Sequence, residues 1–352
     1  MLVDLRLQHF RSYNDASFEF SPGVNIIVGP NASGKTNLLE AILVLTSGNS
    51  YRARDGELVQ FDHEWARIDS HLASGASRSL KLQLETAPNK LYELDGKSYK
   101  RLTLNHALPV VLFEPNHLQL LSGSPERRRD YLDDLLEQTT ASYGSLRRQY
   151  RRTLAQRNAL LKHATVASHS QLFAWDIRLS QLAGQVVRAR NALAEQLNTT
   201  LPGLYRALSS SKTKVSVVYS HQWPIDNYET QLLKKLEASA ELDQERGFTG
   251  AGPHREDLAV LFGDRPAQQT ASRGETRTAV LALKIIELKI IEAARDGQAP
   301  LLLLDDVFSE LDGKRRHALT DYLAPYQTFI TTTDAELVLQ HFTESCHVIP
   351  VG

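Results

Sequence analysis

The stretch GPNASGKTNLLEAI, residues 29–42, decides the fold of this chain because it joins two segments of different periodicity. The segment before it, VNIIV at 24–28, is a short β-branched apolar run, typical of a strand buried on both faces of a mostly parallel sheet. Beyond the small residues, Leu38, Ile42 and Leu45 recur at i, i+4 and i+7, which places them on one face of a helix. The sequence therefore predicts a strand, a loop of small residues and a helix in direct succession.

The loop has the spacing of a phosphate-binding loop, because Gly29, Gly34, Lys35 and Thr36 match G-x-x-x-x-G-K-[ST]. In such a loop the glycines let backbone N–H groups point at phosphate oxygens, and the positive end of the following helix faces the same anion. We expect Lys35 to reach the β and γ phosphates of ATP and the Thr36 hydroxyl to bind Mg²⁺. The predicted nucleotide contacts in this segment are Gly29, Pro30, Asn31, Ala32, Ser33, Gly34, Lys35, Thr36 and Asn37.

Two adjacent carboxylates follow a second strongly apolar run, PLLLLDD at 300–306. A phosphate loop needs such a site, because Mg²⁺ must be held from the far side and water must be oriented toward the γ-phosphate. We predict that Asp305 acts on the metal, directly or through water, and that Asp306 positions or partly deprotonates the attacking water. Together with Lys35 they form the predicted catalytic set, and Thr36 and Asp305 are the predicted Mg²⁺ site.

A third segment, ASRGETRT at 271–278, is here called the signature segment and precedes a long, mostly apolar helix. Ser272 and Gly274 stand where that helix begins, so free N–H groups and a hydroxyl could bind a further anion. An N-cap serine explains the same residues without any ligand. The segment alone leaves both interpretations open.

The overall composition is that of an ordinary soluble globular protein, with 42% hydrophobic and 23% charged residues in 352. A formal charge of -1 excludes a uniformly basic nucleic-acid binder, although local clusters remain compatible with it. The single cysteine, Cys346, excludes an intrachain disulfide and favours a cytoplasmic location. The start of the chain does not resemble a signal peptide and no run approaches 18 apolar residues, so we expect no membrane association.

The two ends of the chain are rich in strand patterns and the middle is rich in helix formers. Runs at 79–85, 91–94 and 109–113 alternate in a way that predicts an antiparallel, half-solvated sheet beside the main one. From about 124 to 206, Leu, Ala, Arg and Gln dominate and prolines are few, which predicts helices. The predicted division is the N-terminal part of a head at 1–122, an all-helical arm at 123–210 and the C-terminal part of the head at 211–352.

Basic residues are concentrated in the predicted arm, where residues 141–190 contain nine Lys or Arg and one acid. In LRRQYRRTLAQR at 146–157, two arginine pairs fall at i, i+4 on a helix. A solvated face is the common explanation, but like charges at this spacing cost a few tenths of a kcal/mol per pair, so phosphate is a natural partner. The predicted DNA contacts in this segment are Arg147, Arg148, Arg151 and Arg152.

The phosphate loop, the serine and glycine of the signature segment, the acidic strand end and SELD at 309–312 together resemble an ABC-type ATPase head. The resemblance implies an α/β fold with a mixed sheet and helices, here interrupted by the arm. In that family the signature of one head completes the nucleotide site of a second head. Ser272 and Gly274 are therefore expected to contact ATP across a homodimer, and Arg52 and Arg54 resemble an arginine loop that links DNA to the ATP site.

Within that class the chain resembles the RecF family over its whole length. The residues that carry the resemblance are HFRSY (9–13), SGNSYRARD (47–55), FEPNHLQLLSGSPERRRDYLD (113–133), TGAGPHREDL (249–258) and LLDDVFSELDGKRRHAL (303–319). The family implies a weak, DNA-stimulated ATPase that dimerises on ATP, binds duplex DNA or a single-strand/duplex junction, and helps RecR and RecO to load RecA in replication and repair. The chain departs from the pattern in three places. Glu275 stands where most of these ATPases have glutamine, Asn116 stands where the family usually has an acid, and TTTD at 331–334 lacks the switch histidine of transporter-type heads.

Two functions of other classes also use a phosphate loop. The motor subunit of a membrane transporter would lack DNA affinity, so retention on DNA with a steep salt dependence separates it from a DNA-binding ATPase. A small-molecule kinase would consume ATP in response to a metabolite and not to duplex DNA, and its signature segment would be accidental.

Overall fold

The computed structural model describes residues 1–85, 88–162, 168–209, 211–342 and 346–352. The chain forms two compact units. The first contains Met1–His117 and Glu287–Gly352, and the second contains Leu118–Ile286. The first unit is thus built from both ends of the chain, and the second from its middle.

The N-terminal part of the first unit contains eight strands and one α-helix over its described residues. They are β1 (Asp4–Phe10), β2 (Tyr13–Glu19), β3 (Val24–Val28), α1 (Lys35–Ser47), β4 (Trp65–His71), β5 (Ser77–Leu84), β6 (Pro88–Leu94), β7 (Lys97–Tyr99) and β8 (Val110–Phe113).

Helices dominate the second unit. Its elements, in chain order, are α2 (Pro125–Thr139), α3 (Tyr143–Lys162), α4 (Ser168–Ser209), β9 (Val215–Ser220), α5 (Tyr228–Ala238), α6 (Ala240–Arg246), β10 (Asp257–Phe262), β11 (Arg265–Pro266), α7 (Ala267–Thr270) and α8 (Arg273–Ala294), whose last turns belong to the first unit.

The chain then completes the first unit with strands that alternate with short helices. These are β12 (Leu301–Asp305), α9 (Val307–Glu310), α10 (Gly313–Leu323), β13 (Thr328–Thr332), α11 (Ala335–Leu339) and β14 (His347–Pro350).

A parallel five-stranded sheet with the order β14-β3-β13-β12-β8 positions the predicted site. Asp305 at the end of β12 is in register with Thr331 of β13, and Thr331 in turn is in register with Ile27 of β3. Because parallel strands end at the same edge, the loop after β3 and the acids after β12 meet there. The apolar face of α1 packs into the same core through Leu38, Ile42 and Leu45, as the sequence predicts.

The second sheet of the first unit is antiparallel, with the order β2-β1-β4-β5-β6-β7. The runs predicted at 79–85 and 91–94 fall on β5 and β6 of this sheet. The prediction that the run at 109–113 joins the same sheet is wrong, because β8 pairs in parallel with β12. Its residues are almost continuously buried instead of alternating, which is the pattern of a strand covered on both faces.

The described residues between 123 and 210 form α2, α3 and α4, in agreement with a helical insertion in an α/β head. The compact unit that contains them runs on to Ile286 and includes a three-stranded sheet, β11-β10-β9. The boundaries at 122/123 and 210/211 therefore stay a prediction. Throughout the described ranges, no helix combines the length and apolarity that crossing a bilayer requires.

Candidate nucleotide-binding site

The backbone of the phosphate loop requires glycine at two positions. A Cβ on Gly29 would lie 2.1 Å from the carbonyl oxygen of Val351, so no larger residue fits there without moving the backbone. Gly34 is the N-cap of α1 and has a φ of 106°, in the left-handed region that glycine adopts without steric cost. Both glycines let the loop curl tightly before the helix begins.

Two side chains of the loop are arranged for a ligand. The Lys35 ammonium donates to the carbonyl oxygens of Gly29 and Pro30, each at 2.9 Å, and the residue is only 5% exposed. The Ser33 Oγ is buried and has no hydrogen-bond partner among the residues that the structure describes. A buried cation and an unused hydroxyl at a helix N-terminus fit an anionic ligand such as a phosphate group.

The carboxylate at the end of β12 lies against the loop. Asp305 Oδ1 accepts hydrogen bonds from the hydroxyls of Thr36, at 3.0 Å, and Thr331, at 2.8 Å. A hydroxyl that donates its proton to a carboxylate still presents oxygen lone pairs, so Thr36 fits as a ligand of Mg²⁺. The predicted metal pair, Thr36 and Asp305, is thus in direct contact although the two residues are 269 positions apart.

The described residues contain no group of three or more His, Cys, Asp or Glu side chains that could hold a metal ion by themselves. Mg²⁺ at phosphate-binding loops is bound by one or two protein oxygens together with the phosphates of the substrate. Thr36 and Asp305 can supply such a partial set.

Asp306 follows directly and has a different environment. Its backbone is left-handed, with a φ of 50°, and its N–H donates to the Thr331 hydroxyl at 2.9 Å. Burial and the charge of Asp305 raise the pKa of Asp306 above its ordinary value, and Lys35 opposes this effect. A carboxylate with a raised pKa is a stronger base, which suits a group that takes a proton from water.

A buried glutamate of α1 connects the helix to the loop that follows it. Glu40 is fully buried and accepts bidentate hydrogen bonds from Arg11, at 2.8 and 3.0 Å. Arg52 donates to the same carboxylate at 3.0 Å and to the Asn37 amide oxygen at 2.6 Å. Burial opposes ionisation of Glu40, but the hydrogen bonds from these arginines lower its pKa. The predicted contacts Arg52 and Arg54 are both exposed, and Arg52 is tied to α1 by these hydrogen bonds.

The signature segment begins α8 with a reciprocal capping box. The Ser272 backbone N–H donates to Glu275 Oε2 at 2.9 Å, and the Glu275 N–H donates to Ser272 Oγ at 3.3 Å. This arrangement gives Glu275 a structural role at the position where the family pattern has glutamine. Ser272 is exposed, and Gly274 is half-buried. An N-cap serine was one of the two interpretations of the sequence, but the spacing S-x-x-E, which adds Glu275 as the reciprocal partner of Ser272, was overlooked.

The predicted arginine face on α3 divides into two parts. Arg148, Arg151 and Arg152 are exposed, and we call them the arginine face. The Arg147 side chain is only 11% exposed and faces α2, so the structure does not place it with the others. Its guanidinium pairs with four carboxylates of α2 at 2.7 to 3.1 Å, namely Asp130, Asp133, Asp134 and Glu137.

Arg128, Arg129 and His254, which lie in two of the segments that carry the family resemblance, have internal partners. Arg128 forms a bidentate pair with Asp257, with both distances at 2.8 Å, and Arg129 donates to the carbonyl oxygen of Glu256. His254 lies between the Tyr150 hydroxyl, at 2.6 Å, and a backbone carbonyl oxygen. Burial lowers the pKa of His254 to about 4, so its ring is neutral at pH 7. These contacts hold the GPHRED segment inside the second unit.

Comparison with known proteins places the whole chain in one group. The profile of the RecF/RecN/SMC N terminal domain family matches residues 1–350. The chain is 36% identical over 340 residues to the DNA replication and repair protein RecF of Heliobacterium modesticaldum, covering 94% of this chain and 91% of that protein. It is 32% identical to RecF of Lachnoclostridium phytofermentans, covering 100% and 98% of the two chains.

Solved structures agree with this result. The recombination mediator protein RecF of the RecFOR pathway, described with ATPrS, superposes with a TM-score of 0.88 at 31% identity and covers 100% of this chain and 97% of its own. A second structure, described as RecF-ATP, gives 0.86 at 30% identity, over 99% and 95% of the two chains. An SMC head bound to the C-winged helix domain of ScpA gives 0.53 at 16% identity, over 99% and 93%, which supports the ATPase-head fold alone.

Proposed function

The chain belongs to the RecF family of DNA replication and repair proteins, and from this premise we propose that it is an ATP-gated homodimer that binds DNA. In this proposal it binds duplex, gapped or junction DNA in the cytoplasm and assists RecR and RecO in loading RecA. Slow, DNA-stimulated ATP hydrolysis resets it. The family and the descriptions of its solved relatives favour this function over a transporter motor or a small-molecule kinase.

The observation that carries the proposal is the convergence of three groups at one edge of the parallel sheet: the Lys35 ammonium inside its loop, the Thr36 hydroxyl and the Asp305 carboxylate. In this site residues 29–37 would hold the phosphates of ATP, and Thr36 with Asp305 would hold Mg²⁺, which would supply positive charge to the phosphoryl group. Asp306 orients the attacking water and accepts its proton. Calorimetry of ATP binding to Lys35→Ala tests this site.

Dimerisation would make the nucleotide a switch. We infer that the exposed Ser272 and the half-buried Gly274 of a second copy contact the γ-phosphate of ATP held in the first copy. ADP lacks that phosphate, so it cannot stabilise the closed pair in the same way. A ligand shifts such an equilibrium only by its difference in affinity for the two states, and the interactions with the γ-phosphate supply that difference.

Ser272→Arg should prevent ATP-dependent dimerisation and leave ATP binding within about threefold of wild type, a change of less than 1 kcal/mol. The long charged side chain would occupy the exposed helix start that the second copy needs. Thr200→Arg, which adds the same side chain at an exposed position of α4, is the control and should dimerise normally. Sedimentation with ATP and equilibrium dialysis measure the two quantities. A Ser272→Arg protein that still forms dimers with ATP would contradict the proposal that a second copy contacts the nucleotide through Ser272.

DNA binding is proposed for the arginine face, with Arg52 and Arg54 as a second region. The charge of Arg147 is neutralised by carboxylates of α2. We therefore propose that this residue orients α3 and is not a main DNA contact. Each phosphate that a protein neutralises contributes about 0.9 to the slope of log K against log salt for duplex DNA. The slope therefore reports how many phosphates the protein neutralises.

Replacing Arg148, Arg151 and Arg152 together with alanine should weaken DNA binding and lower that slope by about 0.9 for each phosphate that is no longer neutralised. The matched control is Arg188→Ala, which removes an exposed arginine of α4 that is already paired with Glu229 at 2.7 Å. Fluorescence anisotropy with a gapped duplex over a range of salt concentrations gives the slopes. An unchanged slope in the triple variant would exclude the arginine face as a DNA-binding surface.

A further inference from the structure

Tyr51 contacts the carboxylate that the metal site depends on. Its hydroxyl donates to Asp305 Oδ2 at 2.9 Å, on the oxygen opposite to the one that accepts from Thr36 and Thr331. The tyrosine ring is half-buried and packs against the hydrophobic core of the first unit. Both oxygens of Asp305 are therefore held, and Tyr51 is the residue that holds the second one.

The residues next to Tyr51 in the sequence, Ser50 and Arg52, attach its loop to α1. The Ser50 hydroxyl donates to Glu40 Oε1, and Arg52 donates to Glu40 Oε2 at 3.0 Å. Ser50 Oγ also accepts from the backbone N–H groups of Arg52 and Ala53, which closes the turn. The residues on both sides of Tyr51 thus bind one buried carboxylate, which fixes the backbone of Tyr51 relative to α1.

The hydroxyl of Tyr51 acts as a donor at neutral pH. An ordinary tyrosine hydroxyl has a pKa of about 10 and is therefore protonated at pH 7. The phenol keeps its proton, and a proton shared with a carboxylate gives a charge-assisted hydrogen bond, which is stronger than a neutral one.

We propose that Tyr51 is a positioning residue of the Mg²⁺ site: its hydroxyl fixes the rotation of the Asp305 carboxylate, which in turn orients the Thr36 hydroxyl. Partners of this kind, one bond away from the metal ligands, change metal affinity by about 10- to 100-fold when they are removed. This inference rests on the proposed nucleotide function. It assigns Tyr51 a role at the metal site, which differs from the DNA contacts proposed for Arg52 and Arg54.

The test is Tyr51→Phe, which removes the hydroxyl and keeps the ring. Binding of a fluorescent, non-hydrolysable ATP analogue is titrated with Mg²⁺, and melting temperature is recorded. We expect the Mg²⁺ concentration for half-saturation to rise about tenfold, with the affinity for the analogue in the absence of Mg²⁺ unchanged. The control is Tyr92→Phe, which removes another buried phenol of the first unit whose hydroxyl donates to the Gly48 carbonyl oxygen. It should not alter the Mg²⁺ dependence.

Two results would overturn the inference while leaving the proposed function intact. One is a Tyr51→Phe protein with the Mg²⁺ dependence of the wild type. The other is an equal loss of binding with and without Mg²⁺, accompanied by a larger fall in melting temperature than in Tyr92→Phe, which would assign Tyr51 a role in folding only. Absence of Mg²⁺-dependent binding in the wild type itself would overturn the proposed function together with this inference.

Discussion

Lys35→Ala should lower the affinity for ATP by about a hundredfold or more, which corresponds to about 2.8 kcal/mol. The Lys35 ammonium is the buried cation of the phosphate loop, held between the carbonyl oxygens of Gly29 and Pro30. Hydrogen bonds that involve a charged group contribute about 1.5 to 3 kcal/mol each, so removing the two that Lys35 would donate to phosphate accounts for the expected effect. Isothermal titration calorimetry with ATP and Mg²⁺ measures it.

A matched control separates the loss of this cation from the loss of any lysine. Lys289 belongs to the same unit, is exposed on α8 and lies 5.5 Å from the centre of the Tyr322 ring. Lys289→Ala should bind ATP as the wild type does. Wild-type affinity in Lys35→Ala, with a folded protein in both cases, would show that residues 29–36 are not the nucleotide site.

Asp306→Asn should reduce ATP turnover by about a hundredfold or more while ATP binding persists. A positioned general base contributes about 10² to 10⁴ in rate, and an amide cannot take the proton from water. Because the nucleotide stays bound and uncleaved, the ATP-dependent dimer should accumulate. Phosphate release in the steady state and sedimentation of the same sample measure turnover and mass. The control, Asp321→Asn, changes an exposed acid of α10 and should turn over normally.

The same residue gives the proposed activity a pH dependence. Burial and the neighbouring Asp305 raise the pKa of Asp306, so its carboxylate takes up a proton at a higher pH than an ordinary aspartate. Turnover by the wild type should therefore fall as the pH is lowered through this raised pKa. The residual turnover of Asp306→Asn should not show that step. If Asp306→Asn hydrolyses ATP as fast as the wild type, Asp306 takes no part in the reaction.

Local patterns were sufficient to predict the elements around the site. A strand, a loop and a helix are encoded within residues 24–47, and β3 and α1 occupy those positions. The pairing of Thr36 with Asp305 was predictable despite their separation, because a phosphate loop requires a carboxylate partner from a neighbouring strand. The capping box of Ser272 and Glu275 was also encoded locally, at a spacing of three residues.

Interactions without such a rule were not predictable from one sequence. Nothing local indicates that Tyr51 reaches Asp305, which is 254 positions away, or that Arg52 pairs with a buried glutamate. The number of basic residues at 141–190 also overestimates the exposed positive charge, because some of them pair with acids that are distant in the sequence. Arg157 is fully buried and pairs with Asp243, 86 positions away, and Arg190 pairs with Asp133, which precedes that basic segment.

In the proposed dimer, one ATP is enclosed by two copies of the chain. Sedimentation of the purified protein with ATP or with ADP, with and without gapped DNA, tests it most directly. We expect a species of twice the 39.4 kDa of one chain with ATP, and single chains with ADP. Tight ATP binding by a species that keeps the mass of one chain at every protein concentration, with or without DNA, would contradict it.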